Sequence, residues 1–296
     1  MSAPNQSSAP ETNKAETLRR LGLNKNGYFG ERIDLPEVLR GCAEAGAACG
    51  WRSEDIEVDE ALSLPVFVRP GAITRTGNGA APTRSPQVYI SAGIHGDEPA
   101  GPLAVRQLLK ENQWPPGFGL WVCPCLNPAG FRSGRRENAS GLDLNRQYLK
   151  PKAIETAAHI AWLERAPAFD LCLCLHEDWE AHGFYVYELN PDNQPSLAEE
   201  IVRDVSAVCP IDLSELIEGR PARGGIIRPS LDPRERPDWP ESFYLLTYKT
   251  RLSYTLEAPS DYALGPRVGA LVTAVNTALR LLNERWKSPG PVQAAR

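Results

Sequence analysis

Four histidines, His95, His159, His176 and His182, are the imidazoles available to this chain, and two of them stand where ligands are commonly bound. His95 follows the run Val88-Tyr89-Ile90-Ser91-Ala92-Gly93-Ile94, and His176 follows Leu171-Cys172-Leu173-Cys174-Leu175. Both runs read as strands, so both imidazoles fall at strand carboxyl ends, the edge at which open α/β sheets bind ligands. Three residues beyond His95 lies Glu98, where the strand turns into a helix whose first turn carries Pro99 and Pro102. An imidazole and a carboxylate at i and i+3 across such a turn can converge on one cation, and two histidines with a glutamate are a ligand set of catalytic zinc. Taken alone, His-x-x-Glu is weak and also reads as a polar turn with a carboxylate at a helix N-terminus. His159 sits among alanines in a helical stretch, where a packed or solvated ring is the simpler reading. His182 is a pocket residue or a competing ligand, and His176 is preferred because a strand end is the stiffer platform.

The elements that must position these groups follow from periodicity and punctuation. Helices are expected at 16–23, 35–48, 101–110, 152–165, 196–208 and 267–285, and strands at 61–68, 87–92, 120–126, 169–175, 183–189 and 251–256. Strand 87–92, helix 101–110 and strand 120–126 form a βαβ unit, which implies a parallel sheet. Two stretches read as irregular: 127–147, rich in Gly, Asn, Arg and Ser and too long for a passive turn, and 219–242, rich in Pro and Arg. The domain reading is a disordered tail over 1–15, one catalytic domain over 16–288 and a frayed end over 289–296.

With 296 residues, 42% of them hydrophobic, the chain can bury one large core. Its formal charge is −5 and its 32 basic residues are scattered, which argues against nucleic acid as a partner. No apolar run approaches the roughly 20 residues that span a bilayer, and the first fourteen residues lack the apolar stretch of a secretion signal. A cytoplasmic protein without a membrane partner is the expectation. Seven cysteines, with Cys123/Cys125 and Cys172/Cys174 each placed on one sheet face, read as buried free thiols.

The chain also carries an ordered set of motifs: His95-x-x-Glu98, Asn127-Pro128-x-Gly130-Phe131, Arg136, Asp143-Leu144-Asn145-Arg146, the strand-end His176, and Glu257 within Thr255-Leu256-Glu257-Ala258-Pro259-Ser260. Over residues 87–264 this set resembles the zinc metallocarboxypeptidase clan, and within it the branch of murein peptide amidases and the neighbouring succinylglutamate desuccinylase and aspartoacylase group. The resemblance implies a three-layer α/β/α sandwich with a mixed, mainly parallel sheet of about eight strands. It implies one zinc ion on His95, Glu98 and His176 that polarises the scissile carbonyl and activates water. Glu257 matches the general base, and Arg136 the group that stabilises the oxyanion, with Arg135 beside it as the other candidate. Asn145 and Arg146 match the pair that grips a substrate's free carboxylate, and Asp143 the residue that orients His95.

Departures from the pattern are equally definite. Neither Tyr244 nor Tyr248 has the spacing of the tyrosine that closes over the substrate in carboxypeptidases, so that role stays unassigned. Glu177 and Asp178 are expected to face water, as charged residues beyond a strand usually do, with attraction of a cationic substrate group as the other reading. The function that follows is hydrolysis of a peptide or amide bond next to a residue with a free carboxylate, on a small peptide, a muropeptide or an N-acyl amino acid. An N-acyl amino acid deacylase and a non-catalytic binding protein on the same fold are the alternatives. Oligomeric state is not legible.

Overall fold

The computed structural model describes residues 20–22, 27–28, 30–74 and 83–287. The tail over 1–15 and the end over 289–296 lie outside the described residues, as does most of the helix expected at 16–23; residues 20–22 are not helical. Ten strands form one sheet. In chain order they are β1 (Arg52–Glu57), β2 (Ser63–Arg69), β3 (Gln87–Ala92), β4 (Gly119–Cys123), β5 (Leu171–Asp178), β6 (Tyr185–Leu189), β7 (Leu216–Ile217), β8 (Arg220–Arg223), β9 (Ile226–Ile227) and β10 (Ser253–Pro259). The helices are α1 (Leu35–Ala48), α2 (Ala100–Glu111), α3 (Pro128–Ser133), α4 (Ile154–Arg165), α5 (Ala198–Val205), α6 (Glu241–Tyr248) and α7 (Leu264–Lys287).

Spatial order across the sheet is β1-β2-β4-β3-β5-β10-β6-β9-β8-β7. The central four, β4-β3-β5-β10, run parallel, while β1, β2 and β6 join antiparallel. The mixed α/β/α sandwich matches expectation, with ten strands rather than about eight. The surplus comes from short or polar strands toward the two ends of the sheet. In β1 only Ile56 is buried, so Arg-Ser-Glu-Asp-Ile-Glu carries no apolar alternation to reveal it; β8 and β9 are short strands inside the Pro- and Arg-rich excursion, and the two-residue β7 lies just before it.

Strand alternation sorts side chains onto two faces. Val88, Ile90 and Ala92, Leu171, Leu173 and Leu175, and Tyr254, Leu256 and Ala258 point to the side covered by α1, α2, α5 and α7. Tyr89, Cys172 and Cys174 point to the other side, under α4 and α6. His176 continues the Cys172–Cys174 face, and Glu257 is directly opposite it in the β5/β10 register. Two strand-end groups on one face of adjacent parallel strands are thereby set side by side.

Three expectations are corrected. The stretch 127–147 contains α3, capped by the Asn127 side chain accepting from the Gly130 amide at 2.9 Å, and a 3-10 turn at Leu144–Arg146. Helix α6 begins after Pro240, where the Pro-rich context masked it. Cys125 does not share a face with Cys123, because β4 ends at Cys123; Cys125 packs instead with Leu35 and Phe131. All seven thiols are free and six are buried, Cys49 being exposed. No described helix is long and apolar enough to cross a membrane.

Candidate metal centre and active site

The turn after β3 is built on glycine. Gly93 has φ +62°, and a Cβ on Gly96 would fall 1.9 Å from the backbone carbon of Gly130, so only glycine lets this loop lie against α3. That close approach carries His95 and Glu98 over the sheet edge toward His176. All three are buried, and one ligand atom from each lies within 4.8 Å of the others. His95 Nδ1 is 2.6 Å from Glu98 Oε1, and His176 Nδ1 is 2.9 Å from Glu98 Oε2.

Electrostatics follow from that packing. Burial disfavours charge on both rings, yet the facing Glu98 outweighs it, raising His176 and, with Asp143 contributing, pushing His95 up to about 9. Burial likewise works against the Glu98 carboxylate, but the two imidazoles hold it well below the usual range. A carboxylate this far from water surrounded by imidazole nitrogens demands cations, and two nitrogens with one carboxylate oxygen are a donor set suited to a divalent ion. His95 Nε2 donates to Asp143 Oδ1 at 3.1 Å, which leaves Nδ1 as its donor toward a metal.

The residues after α3 complete the wall. Arg136 Nε donates to Asp143 Oδ2 at 2.9 Å and its Nη1 lies 3.6 Å from Glu98 Oε1, whereas Arg135 is exposed and away from the cavity. Asp143 also accepts from the Asn145 amide at 2.9 Å and is held well below the usual carboxylate range; burial opposes this, but His95, Arg136 and Arg146 prevail. Asn145 is buried, and its Oδ1 accepts from the Glu241 backbone amide at 2.8 Å, so its NH2 group is what it can offer a ligand. Arg146 is exposed and donates to the Asn145 carbonyl at 3.0 Å. Glu257 is pushed well above its ordinary value, first by burial, then against the pull of His176 by the carboxylates of Glu98, Glu218 and Asp178.

These side chains share a cavity of about 520 Å3 that His95, Glu98, His176, Arg136, Asn145, Arg146 and Glu257 all line. Tyr244 is buried against Tyr148, Tyr248 is exposed beside Trp239, and neither reaches the cavity; Tyr187 lines it instead. His182 is exposed and absent from the cavity wall. His159 is buried between the hydroxyls of Tyr89 and Tyr148, at 2.9 and 2.7 Å, and burial pushes it down to about 3.

Sequence reasoning missed two carboxylates. Glu241 is 1% exposed and accepts from Tyr89 and Ser91, both at 2.8 Å; a glutamate after a proline in an irregular stretch gave no signal. Glu177 was expected in water but is 5% exposed and pairs with Arg267 at 2.5 Å. Alternation carried two residues past the apolar run would have placed it with Leu173 and Leu175 on the inner face.

Residues 84–208 match the model of the succinylglutamate desuccinylase/aspartoacylase catalytic domain. Among solved structures, the chain is similar to a "putative metallopeptidase" of Shewanella amazonensis, at 26% identity and TM-score 0.70 over 84% of this chain and 93% of that one. It shares its fold with a metallo-carboxypeptidase of Burkholderia cenocepacia, at 18% identity and TM-score 0.62 over 86% and 70% of the two chains. The same holds for a metallo-carboxypeptidase of Pseudomonas aeruginosa, at 19% identity and TM-score 0.57 over 86% and 70%. No curated protein matches the chain by sequence.

Proposed function

With the metallocarboxypeptidase-like fold and the match to the desuccinylase/aspartoacylase catalytic domain as premise, we propose that this chain is a zinc-dependent hydrolase. Its substrate carries a peptide or amide bond next to a residue with a free carboxylate. The observation that carries the reading is the meeting of His95, Glu98 and His176 with Glu257 in register on the neighbouring strand. One zinc ion held by His95, Glu98 and His176 would supply Lewis acidity toward the scissile carbonyl and toward water.

The chain's own groups then divide the remaining work. Glu257, with its raised proton affinity, takes the proton of the attacking water and returns it to the leaving amine. Arg136, fixed by Asp143, presents its guanidinium to the oxygen that gains charge as the carbonyl is attacked. The Asn145 NH2 and Arg146 hold the free carboxylate, which decides which end of the substrate enters. Asp143 fixes the His95 tautomer.

A deacylase acting on an N-acyl amino acid is the second reading. It is favoured by the family match and by Arg220 and Arg236, which line the cavity near Arg146. Burial, then the proximity of Arg220 and Arg146, lowers the basicity of Arg236, a crowding that an acyl carboxylate would relieve. The test is a metal assay on the purified protein together with product release from dipeptides, muropeptides and N-acyl amino acids, each paired with its C-terminal amide. Release from free carboxylates and not from amides is expected. Equal cleavage of both, or no cleavage of any, would sink the proposal.

A further inference from the structure

Glu177 and Arg267 form an ion pair whose side chains are 0% and 1% exposed, on the opposite face of β5 from His176. Isolating two charges from water is costly, and their attraction does not reliably return that cost. The partners of the pair explain what it accomplishes. Glu177 Oε1 accepts from the Ala100 backbone amide at 2.5 Å, an N–H of the first turn of α2 that has no partner within the helix. Oε2 accepts from Ser260 Oγ at 3.3 Å and from Arg267 Nη1 at 2.5 Å. The Glu177 backbone amide donates to Glu98 Oε2 at 3.1 Å. Arg267, on α7, spends its Nη2 on the Gly27 carbonyl at 2.7 Å.

Ala100 is two residues from Glu98, Glu177 adjoins His176, and Ser260 is three residues beyond Glu257. One carboxylate therefore ties together the three chain segments that carry two candidate metal ligands and the candidate general base. We propose that Glu177, with Arg267 as its counter-charge, is a positioning residue that fixes Glu98, His176 and Glu257 relative to one another. A shorter or neutral side chain cannot reach Ala100 and Ser260 at once while answering the Arg267 charge. The segments would then relax independently, and the ligand set would loosen.

The inference rests on the reading that His95, Glu98 and His176 hold a metal. Its test is zinc affinity by chelator competition, with the cobalt(II) absorption spectrum as a second readout, for wild type, E177D and the double variant E177L/R267M. E177D keeps the charge but shortens the reach; the double variant removes both charges, a change that buried pairs often tolerate. Zinc binding about 10- to 100-fold weaker and an altered cobalt spectrum are expected in both, as for the loss of other groups that orient ligands. Wild-type affinity and spectrum in E177D and the double variant would overturn the inference and leave the metal reading intact. Failure of both to fold would overturn it too, in favour of a purely structural pair. Absence of zinc binding in wild type would remove the metal reading itself.

Discussion

His159 makes the stability of this protein depend on acid in a way that can be worked from its surroundings. Tyr89 donates its hydroxyl proton to Glu241, so its oxygen accepts from His159 Nε2, while the Tyr148 hydroxyl donates to Nδ1. The ring is thus held neutral, and burial pushes it from 6.5 down to about 3. Because the unfolded chain binds the proton more readily, stability falls as pH drops below 6.5 and stops changing on this account below about 3. At about 1.4 kcal/mol per pKa unit, the full effect is roughly 5 kcal/mol, of which about 2.5 kcal/mol develops between pH 7 and about pH 4.5. Urea denaturation across that range should show wild type losing about 2.5 kcal/mol more than H159Q, whose amide can donate and accept but does not titrate. Parallel profiles would refute the reasoning, since the ring would then bind protons equally well folded and unfolded.

Three further outcomes concern the site. E257Q should keep its metal content and lose about 10²- to 10⁴-fold in kcat, measured by steady-state kinetics alongside metal analysis, as removal of a general base does. R146M should raise KM for free-carboxylate substrates by roughly 10- to 100-fold with little change in kcat, reflecting the loss of charge-assisted hydrogen bonds of about 1.5–3 kcal/mol. D143N should weaken zinc binding by about 10- to 100-fold, read by chelator competition, because His95 Nε2 loses its charged acceptor.

Much of the site was legible in the residues themselves. Strand-end placement marked His95 and His176, the i, i+3 spacing marked Glu98, and the family resemblance marked Arg136, Asp143, Asn145, Arg146 and Glu257, all of which the fold brings to one cavity or its immediate wall. Arg136 was named over Arg135 on the resemblance alone. Adjacent arginines in a loop have no periodicity to separate them, and it took Asp143 and Glu98 to select one. The marginal strand β1 and helix α6 were equally silent, since a polar edge and a proline-led helix lack the spacing that betrays an amphipathic element.

Residue type and local pattern by themselves determined which groups can ligate, which strands are buried on both faces and which end of the sheet gathers those groups. Those properties depend on near neighbours and on alternation along a strand. Tertiary structure alone decided that Glu177 and Glu241 are buried, that His176 and Glu257 stand side by side, and that the tyrosine at the cavity is Tyr187. Burial and charge pairing are set by segments distant in sequence: Arg267 lies 90 residues from Glu177, and Asn145 lies 96 from Glu241. No window short enough to show a period contains both partners.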